Sequence, residues 1–162
     1  QAYTLWHIVS IERIVTGEDL ITLRARTSLG LLPELNTEKI PESDRFKVSE
    51  TIEKLEEAAY RAGPESIVDR ARDVAQWCLG VWLAQKEDSE SLRHKDLSDL
   101  VKKLDKHEMV IAQSAAQAIA RLHARGKPNE QEKRRLRPVT ETDAEFSLAA
   151  IGLLLRELGW AN

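Results

Sequence analysis

The sequence predicts an all-α fold, an antiparallel up-and-down bundle of five to six helices in one domain. Three observations predict it. Apolar residues return at steps of three and four through most of the chain. Glycine and proline mostly fall between those stretches rather than inside them. The stretches are joined by short polar links, which favour antiparallel neighbours. At 162 residues the chain is long enough to bury one core without disulfides or metals.

Taken in order, Leu5, Trp6, Ile8, Val9, Ile11, Ile14 and Val15 recur near helical spacing, so a first helix is expected to end near Gly17. Leu20, Ile21 and Leu23 suit a short helix, with Gly30 and Pro33 breaking whatever precedes them. Residues 36–44 read as a polar loop, and residues 1–40 as a peripheral segment. "SETIEKLEEAAYRAG" (49–63) is rich in helix formers and stops at Gly63. Pro64 suits a first helical position and opens a long helix in which Ile67, Val68, Ala71, Val74, Ala75, Cys78, Leu79 and Trp82 form a broad stripe. That helix is expected at the bundle's centre, with Gly80 tolerated for close packing.

Asp96 or Ser98 can cap a short helix holding Leu100, Val101 and Leu104. Residues 108–125 form a further helix, ended by Gly126 and Pro128. Thr140 or Thr142 can cap the last one, whose early acids suit its positive N-terminal end. Phe146, Ala149, Ala150, Leu153, Leu154 and Leu158 are expected to face inward, and no strand is expected anywhere.

A net charge of −3 argues for neither nucleic acid nor a membrane surface, but the distribution is uneven. Residues 121–137 hold seven basic residues (Arg121, Arg125, Lys127, Lys133, Arg134, Arg135 and Arg137) against Glu130 and Glu132, a local +5 on an acidic body. Cys78 is the only cysteine, so no intramolecular disulfide forms, and its apolar surroundings read as core. With no membrane-length apolar run and no leader-like N-terminus, a cytoplasmic location is expected. Because the chain begins at Gln1 rather than Met, a piece of a longer or trimmed protein is expected, with an N-terminal domain or antitoxin-like protein as a candidate partner.

The four histidines (His7, His94, His107 and His123) show no metal-ligand spacing, and no second cysteine supports zinc, so neither metal nor cofactor is expected. Phosphate-cradling glycine loops and nucleophile elbows are absent as well. Two basic constellations remain. Arg121 and Arg125 lie one turn apart at a helix end, with His123 roughly opposite. An arginine and a histidine can cleave RNA by activating a 2′-hydroxyl, the histidine moving a proton and the arginine stabilising the phosphorane. The same residue types also complement a helix C-terminus. The second constellation is Arg70 and Arg72 with Asp69 and Asp73, either a solvated strip or an extension of the positive surface. Trp160 is a candidate anchor for dimerisation, or else a cap on the bundle's end.

The "ESIVDRARDVAQWCLGVWLAQ" helix, the charged helix pair after it and "LRPVTETDAEFSLAAIGLLLREL" together resemble the HEPN superfamily. Within it they are similar to the helical C-terminal domains of bacterial abortive-infection proteins, over about residues 45–160. The resemblance implies a helical bundle, often dimeric. In active members it implies a metal-independent ribonuclease of defence or toxin–antitoxin systems, acting through an arginine and a histidine. Arg121 stands where that arginine is expected, while His123 lies nearer to it than the family's motif spaces the pair. Many members of the superfamily instead serve as binding or dimerisation modules. Three readings follow. The chain is a non-catalytic interaction module, expected as a homodimer, that dimerises or binds RNA or nucleotide through the basic segment, with Arg125, Lys127, Lys133, Arg134, Arg135 and Arg137 as contacts. It is an endoribonuclease using Arg121 and His123. Or it regulates another domain without an anionic ligand.

Overall fold

The computed structural model describes residues 6–25, 32–127, 129 and 136–162. Among the described residues five α-helices have defined bounds: α1 (Glu42–Arg61), α2 (Pro64–Glu87), α3 (Leu97–Leu104), α4 (Val110–Gly126) and α5 (Glu141–Glu157). 3-10 turns lie at Thr37–Lys39, Glu90–His94 and Asp105–His107. As the stripe predicts, α2 is central. It packs against α1, α3, α4 and α5, and every apolar residue of its predicted stripe is buried. Two residues separate α1 from α2, which turns them antiparallel. None of the described helices is long and apolar enough to cross a membrane.

Gly80 earns its place on α2 by contact. A Cβ there would sit 3.1 Å from the Leu92 carbonyl oxygen and 3.2 Å from the Arg93 Cα. The 3-10 turn therefore lies directly on the helix. Arg93 then reaches across to α1, donating from Nε to Asp44 Oδ1 at 3.0 Å and from Nη2 to Asp44 Oδ2 at 2.9 Å. Both side chains are largely shielded from water, and Asp44 sits in the first turn of α1, where a carboxylate also suits the helix dipole. This helix begins at Glu42, seven residues before the expected start, inside the stretch read as a loop. Pro41 supplies the fixed φ that lets a helix start after it without a side-chain cap.

The N-terminal expectation is overturned. Residues 6–25 form an antiparallel hairpin, β1 (Trp6–Arg13) and β2 (Asp19–Ala25), rather than helices. The reason lies in one irregularity. The register pairs Ile8 with Leu23 and Ser10 with Thr22, so Val9 is a β-bulge. The bulge returns Ile8 and Ile11, three positions apart, to the same face, and a three-residue spacing also imitates a helix. The density of β-branched residues was the better signal. The turn closes where Ile14 N–H donates to the Glu18 carbonyl at 2.9 Å, with Gly17 at φ 85°.

The last helix is also turned differently from the expectation. Ala150, Leu154 and Leu158 face inward with Ile151 and Leu155, but Phe146, Ala149 and Leu153 face solvent. Apolar residues surround α5 on nearly all sides, so periodicity alone does not choose its buried face. Trp160 is 2% exposed and closes the bundle's end, so it is no exposed anchor. Its carbonyl accepts from Asn36 N–H at 2.7 Å, and Leu35 bridges to Ala161. Residues 32–40 are thus tied to the C-terminus, with Ile40 in the core.

Candidate anion-binding site

The basic constellation sits where the C-terminus of α4 meets the N-termini of α2 and α5. A small cluster of Val68, Leu122 and Val139 fastens these three together, apart from the main core. Polar residues one step along from each of these positions therefore project around a shared rim. Sequence reasoning brought α4 and the linker here from charge alone. What it did not show is which cations are already occupied.

Asp143 occupies two of them. It is 6% exposed, one turn into α5, and accepts from Arg137 Nη1 at 2.6 Å and from Arg137 Nη2 at 2.8 Å. Arg125 Nη1 reaches Asp143 Oδ1, the oxygen that Arg137 Nη2 also engages, at 3.4 Å. Thr140 donates to the Asp143 carboxylate from the backbone at 2.9 Å and from the hydroxyl at 3.0 Å, and the Asp143 backbone N–H donates back to the Thr140 side chain to close a capping box. The Arg137 guanidinium, and then the Thr140 donors, hold the Asp143 carboxyl well below the usual carboxylate range, against the cost of burial. Arg137 is raised in turn by the same partner. "TETD" carries this capping pattern in the sequence, so Asp143 was findable; the arginines it would collect were not.

His123 is engaged as well. Its Nδ1 lies 2.8 Å from Asp69 Oδ1 on α2, and its side chain is 22% exposed. An ionised carboxylate can only accept, so in this contact Nδ1 is the donor. The pair joins residues 54 positions apart, and no local pattern signals it. Arg121 lies two positions from His123. On an α-helix that separates their directions by about 200°, so within one chain they do not converge on a single phosphate.

Arg121 and Lys127 are exposed and have no acidic partner among the described residues. Lys133, Arg134 and Arg135 lie outside the described residues. The Arg70–Arg72 strip does not extend the positive surface. Arg72 pairs with Asp96 at 3.1 Å and Asp73 at 3.4 Å, Arg70 pairs with Asp73, and it is Asp69 that turns toward α4.

Elsewhere, Lys103 Nζ donates to Glu87 at 2.7 Å, His107 stands 3.4 Å from the same carboxylate, and Lys103 foremost lowers the Glu87 carboxyl. His107 also packs edge-on against Trp82. An open cleft of about 380 Å³ between Lys39, Trp82, Lys86 and Trp160 shares no residue with the α4 rim. No cluster of three or more metal-ligating side chains occurs among the described residues. No family model matches the sequence, and no similar curated protein or solved structure was found.

Proposed function

We propose that this chain is a HEPN-like helical interaction module that binds RNA or a nucleotide at the C-terminal end of α4. The observation that carries the reading is the division among the cations. Arg125 and Arg137 are held by Asp143, whereas Arg121 and Lys127 stand in solvent without an acidic partner among the described residues. Free cations at one helix end, beside the sequence run Lys133-Arg134-Arg135, suit a phosphate-bearing partner, because neutralising phosphates releases counterions. Binding, rather than catalysis, is the function such a surface needs least else to perform.

A labelled single-stranded RNA, titrated at low salt, tests it. Arg121→Ala with Lys127→Ala, and separately Arg134→Ala with Arg135→Ala, should each weaken binding several-fold. Undetectable binding by the unaltered protein, or affinity unchanged in both variants, would end this reading. Titrating a free nucleotide alongside tells a phosphate group from a polynucleotide.

The His123–Asp69 pair favours a second reading, a metal-independent endoribonuclease in which His123 moves the proton and the Arg121 of another copy faces the phosphate. RNA cleavage in chelator, lost in His123→Ala and slowed in Asp69→Asn, is its expected outcome. Equal cleavage by His123→Ala removes that residue from any mechanism.

A further inference from the structure

The cleft beside Trp82 and Trp160 presents hydrogen-bond donors without acceptors. It lies among the last turn of α2, the 3-10 turn Thr37–Lys39 and the chain that follows α5. Its volume of about 380 Å³ suits a small molecule, for which pockets of about 300–1,000 Å³ are usual. The backbone acceptors nearby are spent. The Ala84 carbonyl at the end of α2 accepts from Ser89 N–H at 3.0 Å, and the Leu155 carbonyl of α5 from Trp160 N–H at 2.9 Å. The Trp160 carbonyl is taken by Asn36 N–H.

The donors are not spent. Lys39 and Lys86 are exposed and have no acidic partner among the described residues. Glu87, next to Lys86, is engaged by Lys103 at 2.7 Å. Lys86 Nζ instead stands 5.5 Å from the centre of the Trp82 ring, a cation–π contact that keeps the ammonium at the cleft wall. Trp82 and Trp160 are 8% and 2% exposed, and neither indole N–H is hydrogen-bonded among the described residues. Burial makes an unpaired N–H costly, so each favours an acceptor that enters the cleft. No carboxylate is among the lining residues. Lys86 also suits the negative end of α2. That role accounts neither for Lys39, which comes from another element, nor for the unpaired indoles.

We propose that this cleft binds a small organic dianion, with Lys39 and Lys86 neutralising its charge and the Trp160 indole N–H donating to one of its oxygens. A dicarboxylate and a phosphate monoester share the required chemistry: negative charge, oxygen acceptors and a compact carbon part. The site is separate from the α4 rim, since Asp69 and Lys86 lie about 25 Å apart along α2. The proposal therefore does not rest on the RNA reading.

Heteronuclear NMR of the full chain follows its four tryptophan indoles directly. Titration with succinate, and separately with glycerol phosphate, should move the Trp160 indole resonance saturably at millimolar ligand, and which of the two does so identifies the acidic group. Neutral succinamide should leave it in place. Lys39→Ala combined with Lys86→Ala should weaken the response roughly tenfold, as expected for the loss of two screened contacts, with the fold intact because both positions are exposed. Lys106→Ala, an exposed lysine outside the cleft, should change nothing. A Trp160 resonance that neither anion moves overturns the proposal, even if phosphate shifts signals at the α4 rim. So does an equal response to succinamide, or an undiminished one in the double lysine variant.

Discussion

Asp143→Asn should move stability and anion affinity in opposite directions. The substitution keeps the side chain's shape and one acceptor but removes the charge. Arg137 is half exposed, so solvent screens its pairing and that contact contributes little despite its two bonds. The capping of Thr140 and the favourable charge in the first turn of α5 contribute about 1 kcal/mol together. A loss of about 1 kcal/mol follows, a Tm drop of about 2–4 °C for a chain this long. Its pH dependence has a definite sign. The folded-state pKa is lowered, so the unfolded state holds more protons between the two values, and the contribution is complete above the ordinary carboxylate pKa of about 4. It fades as pH falls through the folded value, so the wild-type and Asp143→Asn melting curves should converge in acid. Meanwhile Arg125 and Arg137 lose their anionic partner and become available to phosphate. Two more contacts should steepen the salt slope for single-stranded RNA by up to about 1.4. Differential scanning calorimetry and fluorescence anisotropy read the two effects separately. A variant that is destabilised yet binds RNA with an unchanged slope would show that these arginines are not withheld cations.

Three further outcomes test the packing. Gly80→Ala should gain about 1 kcal/mol of helix propensity but lose more to contacts near 3.1 Å with backbone atoms that cannot rotate away, giving a net loss of about 1 kcal/mol by chemical denaturation. Arg93→Ala should cost about 2–4 kcal/mol, because it leaves Asp44 shielded and unpaired; a loss under about 0.5 kcal/mol would make that ion pair incidental. Cys78, whose thiol is pushed up to about 12 by burial, should resist thiol reagents at neutral pH until the bundle unfolds.

How much of this was legible depends on range. The helices between positions 64 and 126 could be read because local periodicity, Pro64 and Gly126 all agree with the packing that α2 imposes. The hairpin could not, because a single bulge makes Ile8 and Ile11 keep a helical spacing while sharing a sheet face. The outward half of α5 was equally hidden: Phe146 and Leu153 are apolar for a surface that the isolated chain does not cover. At the candidate site, charge drew attention to the right helix end. Which side chains are engaged is set by Asp69 and Asp143 approaching from other elements, and such contacts leave no trace in local spacing.

The proposed phosphate binding rests on cations at the end of α4 that have no acidic partner among the described residues. The most direct measurement is the salt dependence of single-stranded RNA affinity for the unaltered protein. Arg121, Lys127 and the Lys133-Arg134-Arg135 run predict a log–log slope of about −2 or steeper. A flat dependence, or no measurable affinity at low salt, would contradict it.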